Sequence, residues 1–475
     1  MIQRMKTLWS REGGYRELLI TAIPLIISTA TWSVMQFTDR MFLTWYSPEA
    51  VAASMPTGIL NFTLASLFIG TASYVGTFVA QYYGAKRHSR IGSALWQGIY
   101  LALAGSVIVA CAGFFSADIF RAVGHDPAVQ ALEAAYFSIL CFGSAGPIIS
   151  SVFSGFFSGM GRNLLVMWVN ITAMFVNIVL DWLLIFGKCG FPKLGMTGAA
   201  VATVIAGMSS VLIFGFMIFA SETHRRFGTR SFRFDRRLFT RILRFGLPSG
   251  VHMFIDVAGF TAFLLIVGKL GMTELAATNI ALNINSIAFM PMIGFGIAIS
   301  MITGQNIGRG DVHTAERAIW SGFQLCFVYM SLIAATYFFF PGVYIFPFAS
   351  QADPVQFARI GALAVVLLKF VAVYSLFDTL NMVFASAIKG AGDTRFVMLL
   401  VLALSVSVLV VPSYIAVVVL HKGVIAVWII ASCYISILGI SYFVRFLTGK
   451  WKHMKVIEHV PPMASGCPDV PYMEL

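Results

Sequence analysis

Charge is what this sequence has least of. Only 11% of its 475 residues are charged, 32 basic and 20 acidic, where an ordinary globular chain carries roughly 25%. With 59% of the residues hydrophobic and a mean hydropathy of +0.85, a fold in water would leave large apolar patches exposed, which excludes a water-soluble enzyme. Cysteine is also sparse. The six present show no C-x-x-C or paired spacing, so there is no disulfide framework; Cys111, Cys141, Cys326 and Cys433 lie in apolar runs and read as small core residues. The motifs H-E-x-x-H, G-x-S-x-G and G-x-x-x-x-G-K-[ST] are all missing, which removes the usual signatures of zinc proteases, serine hydrolases and ATPases. An aromatic content of 14% rules out disorder and a collagen-like repeat. The net charge of +12 does not mark a nucleic-acid binder, because the basic residues form no continuous face.

What the chain has in abundance is apolar runs of about 20 residues or more, the length that crosses a bilayer. Twelve are predicted, near 18–45, 53–82, 93–117, 132–158, 164–187, 197–220, 242–268, 275–305, 318–349, 360–388, 396–420 and 423–444. The first is too long for a cleaved signal peptide and is expected to remain as a helix. Lysine and arginine concentrate on the cytoplasmic side of such proteins. With the amino terminus inside, 24 of the 32 fall on that side, six fall in the outer loops, and Arg40 and Lys369 lie within runs. The charge is thus a topology signal, and both termini are expected in the cytoplasm.

The chain is written twice, with an offset drifting from 224 to 231 positions. Pro24 pairs with Pro248, Gln81 and Gly84 with Gln305 and Gly308, Gly195 with Gly423, and Phe153, Gly159 and Gly161 with Phe384, Gly390 and Gly392. Six spans per half is an even number, so both halves enter the membrane with the same orientation and are related by a pseudo-two-fold axis along its normal, as in parallel-repeat transporters. The expected organisation is an all-α integral membrane protein of two six-helix bundles, 1–221 and 242–447. A basic linker over 222–241 joins them. Residues 448–475 form a cytoplasmic tail, expected to be loose from 456 onward.

A carboxylate at the bilayer centre costs about 2.5 to 3.5 kcal/mol, so each one there demands a reason. There are four, Asp39 and Asp181 in the first half, Asp256 and Asp378 in the second. In the fifth run Asn170, Asn177 and Asp181 are spaced to share one helical face, and Gln36 and Asp39 are similarly spaced in the first. If those faces meet, two carboxylates and an amide oxygen stand together away from lipid. Such a set suits a small hard cation or a shared proton. The structural alternatives are that Asp39 pairs with the adjacent Arg40 and that Asp181 only ties helices together. In the second half His252 and Asp256 lie four apart, as a site or simply as a buried pair, while Tyr374, Asp378 and Asn381 share a face. Asn279, Asn283 and Ser286 form a polar stripe, read first as interhelical hydrogen bonding. Lys369 stands half a turn away from Asp378 and is not expected to pair with it.

These elements resemble the multidrug and toxic compound extrusion (MATE) transporters, in their bacterial NorM-like or DinF-like branches, over nearly the whole chain. The matching residues are Pro24 with Asp39, the Gln81–Gly84 end of the second run, Asn177 and Asp181 followed by GAAVAT ending at Thr203, GLPSGVHMFID at 246–256, GQNIG at 304–308, and Tyr374 with Asp378 running into KGAGDT at 389–394. The resemblance implies export of cationic or amphipathic organic compounds by a monomer in the bacterial inner membrane, in exchange for Na+ or H+, with no other cofactor. It further implies an amino-terminal cation site at Asp39, Asn177, Asp181 and Thr203 and a carboxy-terminal one at Asp256, Tyr374 and Asp378. Gln36, Asn170, His252 and Asn283 are candidates to line the substrate cavity. The helix-seven acid, commonly glutamate in this branch, is here Asp256, one methylene shorter. A lipid-linked oligosaccharide flippase of the same superfamily is the alternative, and it would want more embedded cations than Arg40 and Lys369 supply.

Overall fold

In the computed structural model, which describes residues 9, 11–124, 126–349 and 354–458, the apolar runs form twelve helices long enough to span a membrane. They are α1 (Tyr15–Tyr46), α2 (Pro48–Gly84), α3 (His88–Phe114), α4 (Val129–Gly159), α5 (Asn163–Phe186), α6 (Met196–Phe219), α7 (Arg236–Gly268), α8 (Met272–Arg309), α9 (Val312–Phe339), α10 (Phe357–Ala391), α11 (Thr394–Val419) and α12 (Val424–Leu447). No strand occurs among the described residues. Each helix contains an apolar stretch long enough to span, and the apolar faces that the core does not take point outward. Phe216 is 81% exposed and Leu212 70%. In water these would be sticky; in hydrocarbon they are the lipid contact, while the helical ladder satisfies the backbone internally.

Helix ends follow local chemistry. Ser47 caps α2 by accepting the Ala50 N–H at 3.1 Å, and α5 stops at Gly187, which turns into the left-handed region at φ 66°. The ninth apolar run, expected to continue to 349, breaks instead after Phe339. Pro341, which lacks the N–H that a continuing helix needs, begins a separate helix, Pro341–Ala349.

The two halves interlock by exchange. The start of α1 (Leu18, Ala22, Leu25) is buried in the core of the second half, and the start of α7 (Leu238, Ile242) in the core of the first. Helix α1 packs on α5 and α8, and its counterpart α7 packs on α11 and α2. On the face rich in arginine, hereafter the basic face, the ends of α2 and α8 meet backbone to backbone. Gln81 Nε2 donates to the Gly390 carbonyl at 3.1 Å, and Gln305 Nε2 donates to the Gly159 carbonyl at 2.8 Å. These are the duplicated residues of the sequence, each glutamine reaching the other half's glycine. The approach requires glycine: a Cβ on Gly84 would lie 1.9 Å from the Gln305 carbonyl oxygen, and one on Gly308 would lie 2.2 Å from that of Gln81.

Residues 222–241 are more than a connection. They contain a helix, Ser221–Phe227, and a stretch docked on α3, where Trp96 Nε1 donates to the Thr229 carbonyl at 2.7 Å and Gln97 Nε2 to that of Arg233 at 3.1 Å. The expectation of a loose chain from 456 fails for residues 456–458, because Val456 and Ile457 are buried in the core of the first half; the remainder of that tail lies outside the described residues.

Asp235 caps α7. Its Oδ1 accepts the N–H groups of Arg237 and Leu238 at 3.0 Å, and its Oδ2 meets Arg90 at 3.2 Å. Partial burial pushes the carboxyl up, but the Leu238 N–H, the Arg90 charge and the Arg237 N–H outweigh it and hold the group below the usual aspartate range. A depressed carboxyl stabilises the fold above its unfolded value of about 3.9 and loses that contribution as pH falls through its folded value. Asp235→Ala is therefore expected to cost about 1 kcal/mol at neutral pH, with the melting curves of variant and parent in detergent converging in acid.

Candidate functional site

Three asparagines at seven-residue intervals on α5 each reach α1. Asn163 Nδ2 donates to the Thr21 carbonyl at 3.2 Å, Asn170 to the Ser28 hydroxyl, and Asn177 to Asp39. Asn163 was missed because it sits at the edge of the apolar run; continuing the spacing of Asn170 and Asn177 by one step backward would have found it. Asn170, a candidate for the substrate cavity, is engaged between these two helices.

At the last rung the first-half acids converge. In the orientation that satisfies its neighbours, the Asn177 amide donates to Asp39 Oδ1 at 2.9 Å and to Asp181 Oδ2 at 3.2 Å. The two carboxyl groups thus share one amide nitrogen and act directly on one another. Asp39 is 5% exposed and Asp181 fully buried, and Asp181 Oδ1 has no hydrogen-bond partner. Two bare negative charges this close repel strongly in a low dielectric, and a proton or a cation would supply the balancing positive charge. Arg40 does not supply it, because its side chain is exposed and acts on Asp39 only through space. Tyr136 of α4, buried and within electrostatic range of both acids, completes the surroundings. Nothing in the sequence separated it from the other fourteen tyrosines. Thr203 of α6 is half-buried, and its hydroxyl donates to the Ala199 carbonyl of its own helix at 3.0 Å; no bond to the acids is recorded.

The second-half acids are more dispersed. His252 Nδ1 stands 3.3 Å from Asp256 Oδ2, and the Asp256 side chain keeps 43% of its accessible surface. Asp378 on α10 is 8% exposed and accepts from Asn381 Nδ2 at 3.0 Å. Asp256 and Asp378 are within electrostatic range, with no hydrogen bond between them. Tyr374 accepts from Asn285 Nδ2 at 3.3 Å. The polar stripe on α8 therefore reaches α10 through Asn285, which sequence spacing passed over, while Asn279, Asn283 and Ser286 are exposed. Gln36 is half-buried, with no recorded bond. Lys389, counted from sequence among the loop cations, lies half-buried in the last turn of α10, and its charge acts on both His252 and Asp256.

Among the described residues no three His, Cys, Asp or Glu side chains converge, so the donor set is one of carboxylate and amide oxygens. That chemistry fits a proton or a monovalent hard cation better than a zinc or calcium cage.

Comparison with known proteins gives two matches to one family description, MatE, over residues 24–183 and 248–415, one in each half. A probable multidrug resistance protein NorM of Agrobacterium fabrum is 30% identical over 82% of this chain and 84% of its own length. That of Thermotoga maritima is 26% identical over 93% and 94%. Among solved structures, an outward-facing multidrug resistance MATE family transporter superposes with a TM-score of 0.83 at 20% identity, covering 94% of this chain and 98% of that one. A MOP superfamily transporter from Pyrococcus furiosus gives 0.84 at 20% identity with the same coverage. At that identity the two structures share the fold.

Proposed function

Because the chain belongs to the MatE family of multi-pass membrane transporters, we propose that it exports cationic or amphipathic organic compounds in exchange for Na+ or H+ by alternating access. In this reading it works as a monomer in the bacterial inner membrane, with the basic face toward the cytoplasm. The observation that carries the reading is the Asp39–Asn177–Asp181 cluster, in which a buried carboxylate oxygen lacks a partner. An ion entering there cancels one of the two negative charges and changes how α1 meets α5, while its departure leaves two repelling charges. Occupancy thus biases one arrangement of the helices against another, which is what coupling requires.

The energetics suffice. With an uncharged substrate, one cation moving down 100 mV releases about 2.3 kcal/mol, against about 1.4 kcal/mol for a tenfold uphill substrate gradient; with a monovalent cationic substrate the exchange moves no net charge, and a tenfold gradient of the coupling ion supplies the same 1.4 kcal/mol. The dispersed second-half acids, Asp256 and Asp378, then act as the alternative cation position or as part of the path to the first.

The test is dye efflux from proteoliposomes under an imposed sodium gradient and, separately, an imposed pH gradient. At least one gradient is expected to drive transport, and Asp39→Asn is expected to remove that dependence more completely than Asp378→Asn. Efflux indifferent to both gradients would overturn ion coupling. Equal efflux from parent and Asp39→Asn would overturn the site.

A further inference from the structure

The chain does not leave the protein after α12. Trp451 is buried and stacked on Phe446, with ring centroids 5.3 Å apart, and its Nε1 donates to the Phe446 carbonyl at 3.1 Å. Lys452 Nζ meets Glu316 Oε2 at the start of α9 at 2.7 Å. Both anchors belong to the second half.

A few residues on, the chain has crossed to the first half. Val456 is fully buried in that core, and its N–H donates to Gln81 Oε1 at 2.9 Å. The Glu458 carboxylate accepts the Tyr82 hydroxyl at 2.9 Å, pairs with Arg90 at 3.0 Å, and lies 3.6 Å from both Arg87 and Arg241. Arg87 also donates to the Glu458 carbonyl at 3.2 Å. Gln81 is the shared member, since its Nε2 holds Gly390 across the α2–α8 seam while its Oε1 holds this segment.

We propose that residues 451–458 are a strap that latches the basic face closed, and that Val456 and Glu458 must leave their seats before the ends of α2 and α8 can part. The chain itself sets the limit. From Lys452 to Val456 there are four links, which reach at most about 14 Å when fully extended, so the halves cannot separate widely here with both anchors seated. Electrostatics keeps the latch engaged in neutral medium: burial pushes the Glu458 carboxyl up, but its own backbone N–H, Arg90 and Tyr82 hold it below the usual glutamate range.

The inference assumes alternating access and is tested without transport. Spin labels replace Lys86 and Arg309, exposed positions on the two sides of the seam, in a background with the native cysteines removed. Dipolar distances are then measured in lipid nanodiscs. Glu458→Gln, at a partly exposed side chain, is expected to raise the population of long distances about tenfold, equivalent to about 1.4 kcal/mol. Val456→Pro, which deletes the N–H to Gln81, is expected to shift it the same way. Parental distance distributions in a monodisperse Glu458→Gln protein would overturn the strap, whatever Val456→Pro does. If Glu458→Gln shifts the distances while Asp39→Asn transports normally, the coupling reading falls and the strap stands.

Discussion

Asp181→Asn is expected to leave a protein that folds and binds substrate but no longer concentrates it. One coupled cation at 100 mV supports a gradient of about fiftyfold for an uncharged substrate, from 2.3 kcal/mol of drive at 1.4 kcal/mol per decade. That accumulation is the quantity expected to vanish, leaving substrate to equilibrate across proteoliposomes. Stability is expected to move the other way or not at all. The asparagine preserves the shape of the side chain while removing a charge from a fully buried position whose Oδ1 has no partner and which stands beside the like charge of Asp39, a costly arrangement. Unchanged or raised thermal stability together with lost accumulation separates a coupling role from a structural one. Full accumulation by the variant would sink the first-half site, and a collapsed melting temperature would return Asp181 to the role of helix tie.

The second large effect concerns a single methyl group. Gly84→Ala places its Cβ 1.9 Å from the Gln305 carbonyl oxygen, and Gly308→Ala places one 2.2 Å from that of Gln81. Both clash with backbone, which cannot rotate away as a flexible side chain would. Overpacking of this kind costs about 1 to 3 kcal/mol per site, and here the cost falls on the state in which α2 and α8 touch. Each substitution is expected to slow transport about tenfold or more and to widen the Lys86–Arg309 distances. Gly215→Ala, on α6 with nothing within 4 Å of its Cβ, is the matched control and should transport like the parent. Normal transport by Gly84→Ala would mean that the close contact is dispensable.

The membrane architecture was legible in the sequence because hydrocarbon imposes a length and an apolar content on every span, and those survive without knowledge of neighbours. The twelve helices follow the runs, with differences where proline or a polar end shifted a boundary. The convergence of Asp39, Asn177 and Asp181 was legible for a related reason. Polar groups in such runs are so few that helical spacing leaves little choice of partner. What spacing could not carry was anything decided by a third helix. Tyr136 resembles every other tyrosine until α4 brings it into one cluster with Phe42 of α1 and Ile185 of α5, and Lys389 reads as a loop cation until the last turn of α10 draws it inward. The seating of Val456 and Ile457 depends on space in the core of the first half, and a two-residue apolar patch has no period to announce it.

The crossed glutamines at the α2–α8 seam bear on tightness as well as on motion. Gln81 and Gln305 each donate to a carbonyl of the opposite half, so the halves cannot part there without surrendering both bonds. A partly parted arrangement would lose them before any new partners are gained. Such halfway states, in which water or protons could slip through with no cargo carried, are thereby kept scarce.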